Sequence, residues 1–78
     1  MKIIEIEIKS LQDVKHLVQI AEKCVYDVDL LWGRYVVDAK SMLGVFSLPQ
    51  FEKAELHLHS ENCDDVVEKL REFGLTSE

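Results

Sequence analysis

The stretch VVDAKSMLGVFSL, residues 36–48, decides the fold. Val36-Val37-Asp38-Ala39 is β-branched and short enough to end a strand, and Ser41 then stands as an N-cap candidate before Met42-Leu43-Gly44-Val45-Phe46. A helix beginning at Ser41 is too short to be stable alone, and Pro49 makes its continuation past Ser47 unfavourable. The segment therefore reads as a strand running into a short serine-capped helix, expected to act as a docking surface and not as a catalytic pocket.

Upstream, Tyr26-Asp27-Val28-Asp29-Leu30 alternates apolar and charged residues, and Gly33-Arg34 supplies a tight turn into Tyr35-Val36-Val37-Asp38-Ala39, predicting a hairpin. At the N-terminus Ile4, Ile6 and Ile8 alternate with Glu5 and Glu7, the period of a strand with one buried face. Between these strands Leu11, Val14, Leu17, Val18, Ala21 and Val25 recur at helical spacing behind Ser10, predicting an amphipathic helix of about four turns. Downstream, Ala54, Leu56 and Leu58 alternate with Glu55, His57 and His59 as a fourth strand. A last helix begins near Asn62, carries Asp64 and Asp65 in its first turn, buries Val66, Val67, Leu70 and Phe73, and stops at Gly74. The order is β-α-β-β-α-β-α. One apolar face per element predicts an α+β two-layer sandwich, with all helices on one side of a four-stranded antiparallel sheet and the other sheet face open to water.

A chain of 78 residues has room for one core, so residues 1–78 are expected to form a single domain. Apolar residues make up 47% of it and are spread along its length, which excludes a disordered tail. Cys24 and Cys63 have neither the number nor the spacing of a disulfide framework or zinc knuckle, and are expected as buried thiols. The opening MKIIEIEIKS lacks the apolar run of a secretory signal, and no segment has the length of a membrane span, which points to the cytoplasm. Fifteen acids against nine bases give a net charge of −6, repelling nucleic acid and anionic membrane alike.

Residues 38–48, Asp38-Ala39-Lys40-Ser41-Met42-Leu43-Gly44-Val45-Phe46-Ser47-Leu48, resemble the HPr family, the small phosphocarrier proteins of the bacterial sugar phosphotransferase system. The element order fits the same family over nearly the whole chain. The resemblance implies an HPr-like open-faced sandwich with strand order 1-4-2-3. It also implies that the short helix docks partner proteins through Lys40, Met42, Leu43 and Phe46, and that the serine of the Lys40-Ser41 pair is a target for an HPr-type kinase.

Phosphate-carrying members place a histidine in a Gly-Leu-His-Ala-Arg-Pro type motif at the start of the first helix. The corresponding region here is Ile8-Lys9-Ser10-Leu11-Gln12-Asp13-Val14, so Ser10 falls at the acceptor position, Gln12 replaces the arginine and Asp13 the proline. A serine hydroxyl without a base cannot take over from imidazole, so histidyl phosphocarrier activity is expected to be absent. His16 lies inside the helix, and His57 and His59 on a strand, so none is a relocated acceptor. Loss of the histidine with retention of the serine is similar to the catabolite-repression HPr-like branch. It implies a non-enzymatic regulator or adaptor without a cofactor, whose partners are an HPr-type kinase or a transcriptional regulator, and which is a monomer or weak homodimer.

Val45 and Leu48 are expected to face the sheet, leaving part of the Met42, Leu43 and Phe46 arc exposed unless Phe46 folds over Phe51. Ser41 is expected to cap the helix through an amide near Gly44, and a phosphate there would meet the helix dipole and the Lys40 ammonium. Period two places Glu5, Glu7, Asp27, Asp29, Glu55, His57 and His59 on the wet sheet face. With the strand order that the resemblance implies, His57 and His59 would be flanked by carboxylates, a weak divalent-metal alternative. Phosphocarriage on an unexpected residue is the other alternative. Tyr26, Trp32 and Tyr35 read as core or rim aromatics.

Overall fold

The computed structural model describes residues 1–47 and 53–78. Its elements are β1 (Lys2–Glu7), α1 (Leu11–Glu22), β2 (Val28–Trp32), β3 (Tyr35–Asp38), α2 (Met42–Phe46), β4 (Lys53–Leu58) and α3 (Asp64–Glu72). The four strands form one antiparallel sheet in the order β1-β4-β2-β3, the expected α+β architecture with an open sheet face. No helix among the described residues is long and apolar enough to cross a membrane.

Register follows from the alternation of side chains. Ile4, Leu56, Leu30 and Val37 lie side by side across the four strands, and Leu58 sits between Lys2 and Val28. Of these, Ile4, Leu56, Leu30, Leu58 and Val28 are buried. Against that face pack Leu17, Val18 and Ala21 of α1, Val45 of α2 and Val66, Val67 and Leu70 of α3, in one continuous core. A one-residue slip in any strand would turn its apolar set outward, so the pattern holds the register. Gly33 at φ +58° starts the two-residue turn between β2 and β3, the glycine position of a type II′ hairpin. β2 runs from Val28 up to Trp32 at this turn, so it starts and ends two residues later than the alternation suggests and leaves Tyr26 before the strand.

Three apolar expectations are corrected. α1 ends at Glu22, so Val25 lies beyond it and is 99% exposed, and Leu11 in the first turn is also exposed. Ile20 and Cys24 take the inward places instead. Phe73 is likewise exposed, stacking on His16 with ring centroids 4.2 Å apart. Its expected place in the core belongs to Leu75, which is fully buried. The cause is the end of α3: Gly74 turns left-handed at φ +72°, its N–H donates to the Arg71 carbonyl at 3.0 Å, and the Leu75 N–H donates to the Leu70 carbonyl at 2.9 Å. These are the paired bonds of a Schellman motif, which brings the residue after the glycine back onto the helix's apolar face. The tail then runs along β1, where the Glu7 N–H donates to the Leu75 carbonyl at 2.9 Å and the Thr76 hydroxyl to the Glu5 carbonyl at 3.0 Å.

Cys24 and Cys63 are buried free thiols, as expected. The expected inward side chain of Leu48, the stop at Pro49 and the contact of Phe46 with Phe51 lie outside the described residues.

Candidate docking site on the short helix

α2 spans one and a half turns and is held mainly by its ends. The Gly44 N–H donates to the Ser41 hydroxyl oxygen at 3.0 Å, the Val45 N–H to the Ser41 carbonyl at 3.0 Å, and the Ser47 hydroxyl to the Gly44 carbonyl at 2.7 Å. Ser41 is thus the cap its position predicted. Gly44 lets the cap sit this close, since a Cβ there would stand 3.2 Å from the Ser41 oxygen.

Only Val45 of this helix is buried. Met42, one turn before it, is half-buried and packs on the core, whereas Leu43 and Phe46, three residues apart on the outer side, are 80% and 47% exposed. The surplus apolar arc therefore divides between Met42, which belongs with Val45, and an exposed Leu43–Phe46 pair.

Lys40 is placed differently from expectation. Its ammonium donates to the Cys24 carbonyl just past the end of α1, at 3.0 Å, and its backbone N–H donates to the Asp38 carboxylate at 2.9 Å. The lysine ties the connection between β3 and α2 to the end of α1. A phosphate on Ser41 would meet the helix amides first, and the ammonium only after it leaves Cys24.

The other helix start is occupied by the chain itself. The Asp13 N–H donates to the Ser10 hydroxyl oxygen at 3.3 Å, and the Asp13 carboxylate accepts from the Lys9 N–H at 2.9 Å. This reciprocal arrangement places a fixed anion where helix-terminal amides would otherwise attract phosphate. Its signal in the sequence is Ser10 followed three residues later by an acid. His16 sits within α1, its Nε2 3.3 Å from Gln12 Nε2 and its ring on Phe73.

On the open sheet face the histidines form two separate pairs, His57 Nε2 with Glu55 Oε1 at 3.0 Å and His59 Nε2 with Asp29 Oδ2 at 2.9 Å. The register puts Asp29 on one side of His57 but Ile3 on the other, so the expectation of carboxylates on both flanks is corrected. No three His, Cys, Asp or Glu side chains are grouped to hold a metal among the described residues. The face is also less polar than expected. Leu31 opposes Val36 on it, and Ile3 is exposed on the far edge strand, opposite His57. Glu5 opposes Glu55 and Asp29 opposes Asp38, like charges that cost the sheet a little stability.

Between α1 and α3 lies a shallow groove of about 390 Å³, with Ile20, Cys24, Val66 and Phe73 in its lining and Lys23 and Lys69 at its rim. Tyr26 borders it, its phenol raised above the ordinary range first by burial and then by a hydrogen bond with the Cys24 thiol. The Cys63 thiol is raised as well, by burial and then by the neighbouring Asp64 carboxylate.

No protein-family model matches the chain, and a search of the curated proteins finds no match either.

Proposed function

We propose that the chain is a non-enzymatic, HPr-like regulatory or adaptor protein of the cytoplasm, related to the bacterial sugar phosphotransferase system. It docks protein partners through α2 and is switched by phosphorylation of Ser41. The observation that carries this reading is the pairing of a capping serine with an exposed Leu43–Phe46 surface on the next turn of the same helix. An exposed apolar pair on a small polar domain is a natural contact for another protein. Phosphate on Ser41 would place a dianion at the foot of that contact and change which partner fits. The partners proposed are an HPr-type serine kinase or a transcriptional regulator whose binding the phosphate controls.

The N-terminus of α1 supports the regulatory reading over phosphate transfer. Ser10, which the resemblance matches to the carrier histidine, is engaged as a cap, and the Asp13 carboxylate holds the Lys9 N–H. An incoming phosphoryl group would meet a negative charge there.

Incubation with an HPr-type serine kinase and ATP should raise the intact mass by one phosphate, and Ser41→Ala should abolish the rise. An unchanged mass refutes the switch. The docking surface is tested separately with Phe46→Glu as bait beside the wild type. Recovery of the same regulator by both would remove α2 as the contact.

A further inference from the structure

We propose that the outer edge of β3 is a self-association site, at which a second copy of this chain adds its own β3 antiparallel and the two sheets become one of eight strands. The edges of the sheet are β1 and β3. That of β1 is partly covered by the C-terminal tail, through the Glu7 N–H on the Leu75 carbonyl and the Thr76 hydroxyl on the Glu5 carbonyl. Among the described residues no strand pairs with the outer edge of β3. Nor does Tyr35-Val36-Val37-Asp38 carry the proline or lysine that commonly guards an edge.

The backbone groups of β3 alternate in direction along the strand. The Ala39 N–H donates to the Val28 carbonyl at 2.9 Å, and Val37 and Tyr35 lie opposite Leu30 and Trp32 in the same ladder. Bonded pairs in an antiparallel ladder recur every second residue, so Tyr35, Val37 and Ala39 turn their N–H and C=O groups toward β2. Val36 and Asp38 turn theirs to the free edge. The Asp38 carbonyl already accepts from the Ser41 N–H at 3.0 Å, which leaves Val36 with both groups open among the described residues.

A dyad perpendicular to the sheet joins residues on the same face, which allows Val36 on Val36 of the second copy or Val37 on Val37. The second register sets Arg34 against Lys40 and requires the occupied Asp38 carbonyl for its central bonds. The first has the two Val36 residues exchange N–H···O=C bonds and sets Arg34 against Asp38 at both ends. Arg34 is exposed and makes no ion pair among the described residues. Asp38 is exposed, with Oδ1 on the Lys40 N–H and Oδ2 open to the arginine. Charge and backbone phase thus select one register, and the Val36 side chain, 61% exposed on the open face, meets its own copy. So short an edge buries less than the roughly 1,200 Å² of a standard interface, so the dimer is weak and reversible. Its dyad puts both helix layers on the same side of the joined sheet, so the two α2 surfaces face one way.

Sedimentation equilibrium of the full chain from micromolar to millimolar concentration tests this. The average mass should climb from 9.0 kDa toward twice that value. Val36→Pro removes an N–H that β2 does not use, so circular dichroism should stay native while the dimer is lost. Arg34→Glu and Asp38→Arg should each weaken self-association at least about tenfold by placing like charges in contact. Mixing these two variants should restore a heterodimer, because both ends then pair opposite charges. A mass of 9.0 kDa at every concentration overturns the proposal, as does a dimer that survives Val36→Pro or either charge variant, or a mixture that stays monomeric.

Discussion

Replacing Ser41 by Ala and by Asp separates the cap from the rest of the short helix. The hydroxyl receives the Gly44 N–H at 3.0 Å in a helix whose only buried side chain is Val45, so little else compensates for its loss. Ser41→Ala should cost about 1 kcal/mol, the usual value of an N-cap, which in a domain of this size lowers Tm by about 4–8 °C. Ser41→Asp keeps an acceptor in place and adds a charge that the helix dipole favours, so it should stay within about 0.5 kcal/mol of the wild type. Gly44 gives an internal check. A Cβ at Gly44 would lie 3.2 Å from the Ser41 oxygen and 3.3 Å from its Cβ. Against this crowding stands a gain of about 1 kcal/mol in helix propensity for alanine over glycine. Gly44→Ala should therefore be more favourable in the Ser41→Ala background, where the closest contact has gone, than in the wild type. Urea denaturation followed by circular dichroism gives the free energies, and hydrogen exchange at the Gly44 amide reports the cap itself. Equal stabilities for Ser41→Ala and Ser41→Asp, or an unchanged Gly44 exchange rate in Ser41→Ala, would refute the assignment of Ser41 as the cap.

Two further outcomes follow from the core. Leu75→Ala should cost about 2–5 kcal/mol although only three residues of the sequence follow it, because its side chain is fully buried, and urea midpoints measure the loss. A loss below about 1 kcal/mol would mean that the tail does not contribute to the core. Alkaline pH should destabilise the fold, since burial raises both the Cys63 thiol and the Tyr26 phenol. The unfolded chain releases these protons first, so stability is full below the ordinary thiol range, near pH 8.5, and falls as pH rises toward the folded values. Cys63→Ala with Tyr26→Phe should flatten that fall in urea midpoints taken between neutral pH and pH 10.5, and an undiminished slope would exclude these groups as its cause.

Strands were the most legible part of the sequence. Ile4 and Ile6, Leu56 and Leu58, and Val28 and Leu30 alternate strictly, and each pair occupies the buried side of its strand. Both serine caps were legible for a similar reason, since each precedes an apolar helical pattern and finds its amide three residues on. Periodicity misled at helix ends. Val25 keeps a helical phase with Ala21, but the helix has ended at Glu22, so Val25 is in solvent. Phe73 keeps the phase of α3, yet the Schellman turn at Gly74 returns Leu75 to the core and leaves Phe73 on its edge. Glycine followed by leucine at the end of an amphipathic helix was the available signal. The Lys40 contact was not legible, because it joins residues sixteen apart that only the packing of α1 beside α2 brings together. Nor was the open face, where Ile3, Leu31 and Val36 are in phase with the charged residues and not with the core.

Two serine-capped helices in one small domain offer a comparison of what a phosphate would meet at each. At Ser10 the first turn of α1 contains Asp13, whose carboxylate accepts the Lys9 N–H and already balances the positive end of the dipole. A phosphate on Ser10 would stand close to that carboxylate and be repelled by it. At Ser41 the first turn of α2 has no acid, and Gly44 keeps the space beside the hydroxyl open. The Asp38 carboxylate, three residues before Ser41, is turned to the Lys40 N–H. The cap at Ser41 can therefore exchange a neutral acceptor for a charged one without facing a carboxylate in its first turn, while the cap at Ser10 faces that of Asp13. The difference comes from one acidic side chain three residues after the first serine and a glycine three residues after the second. It favours Ser41 over Ser10 as the serine that accepts phosphate without loss of the fold.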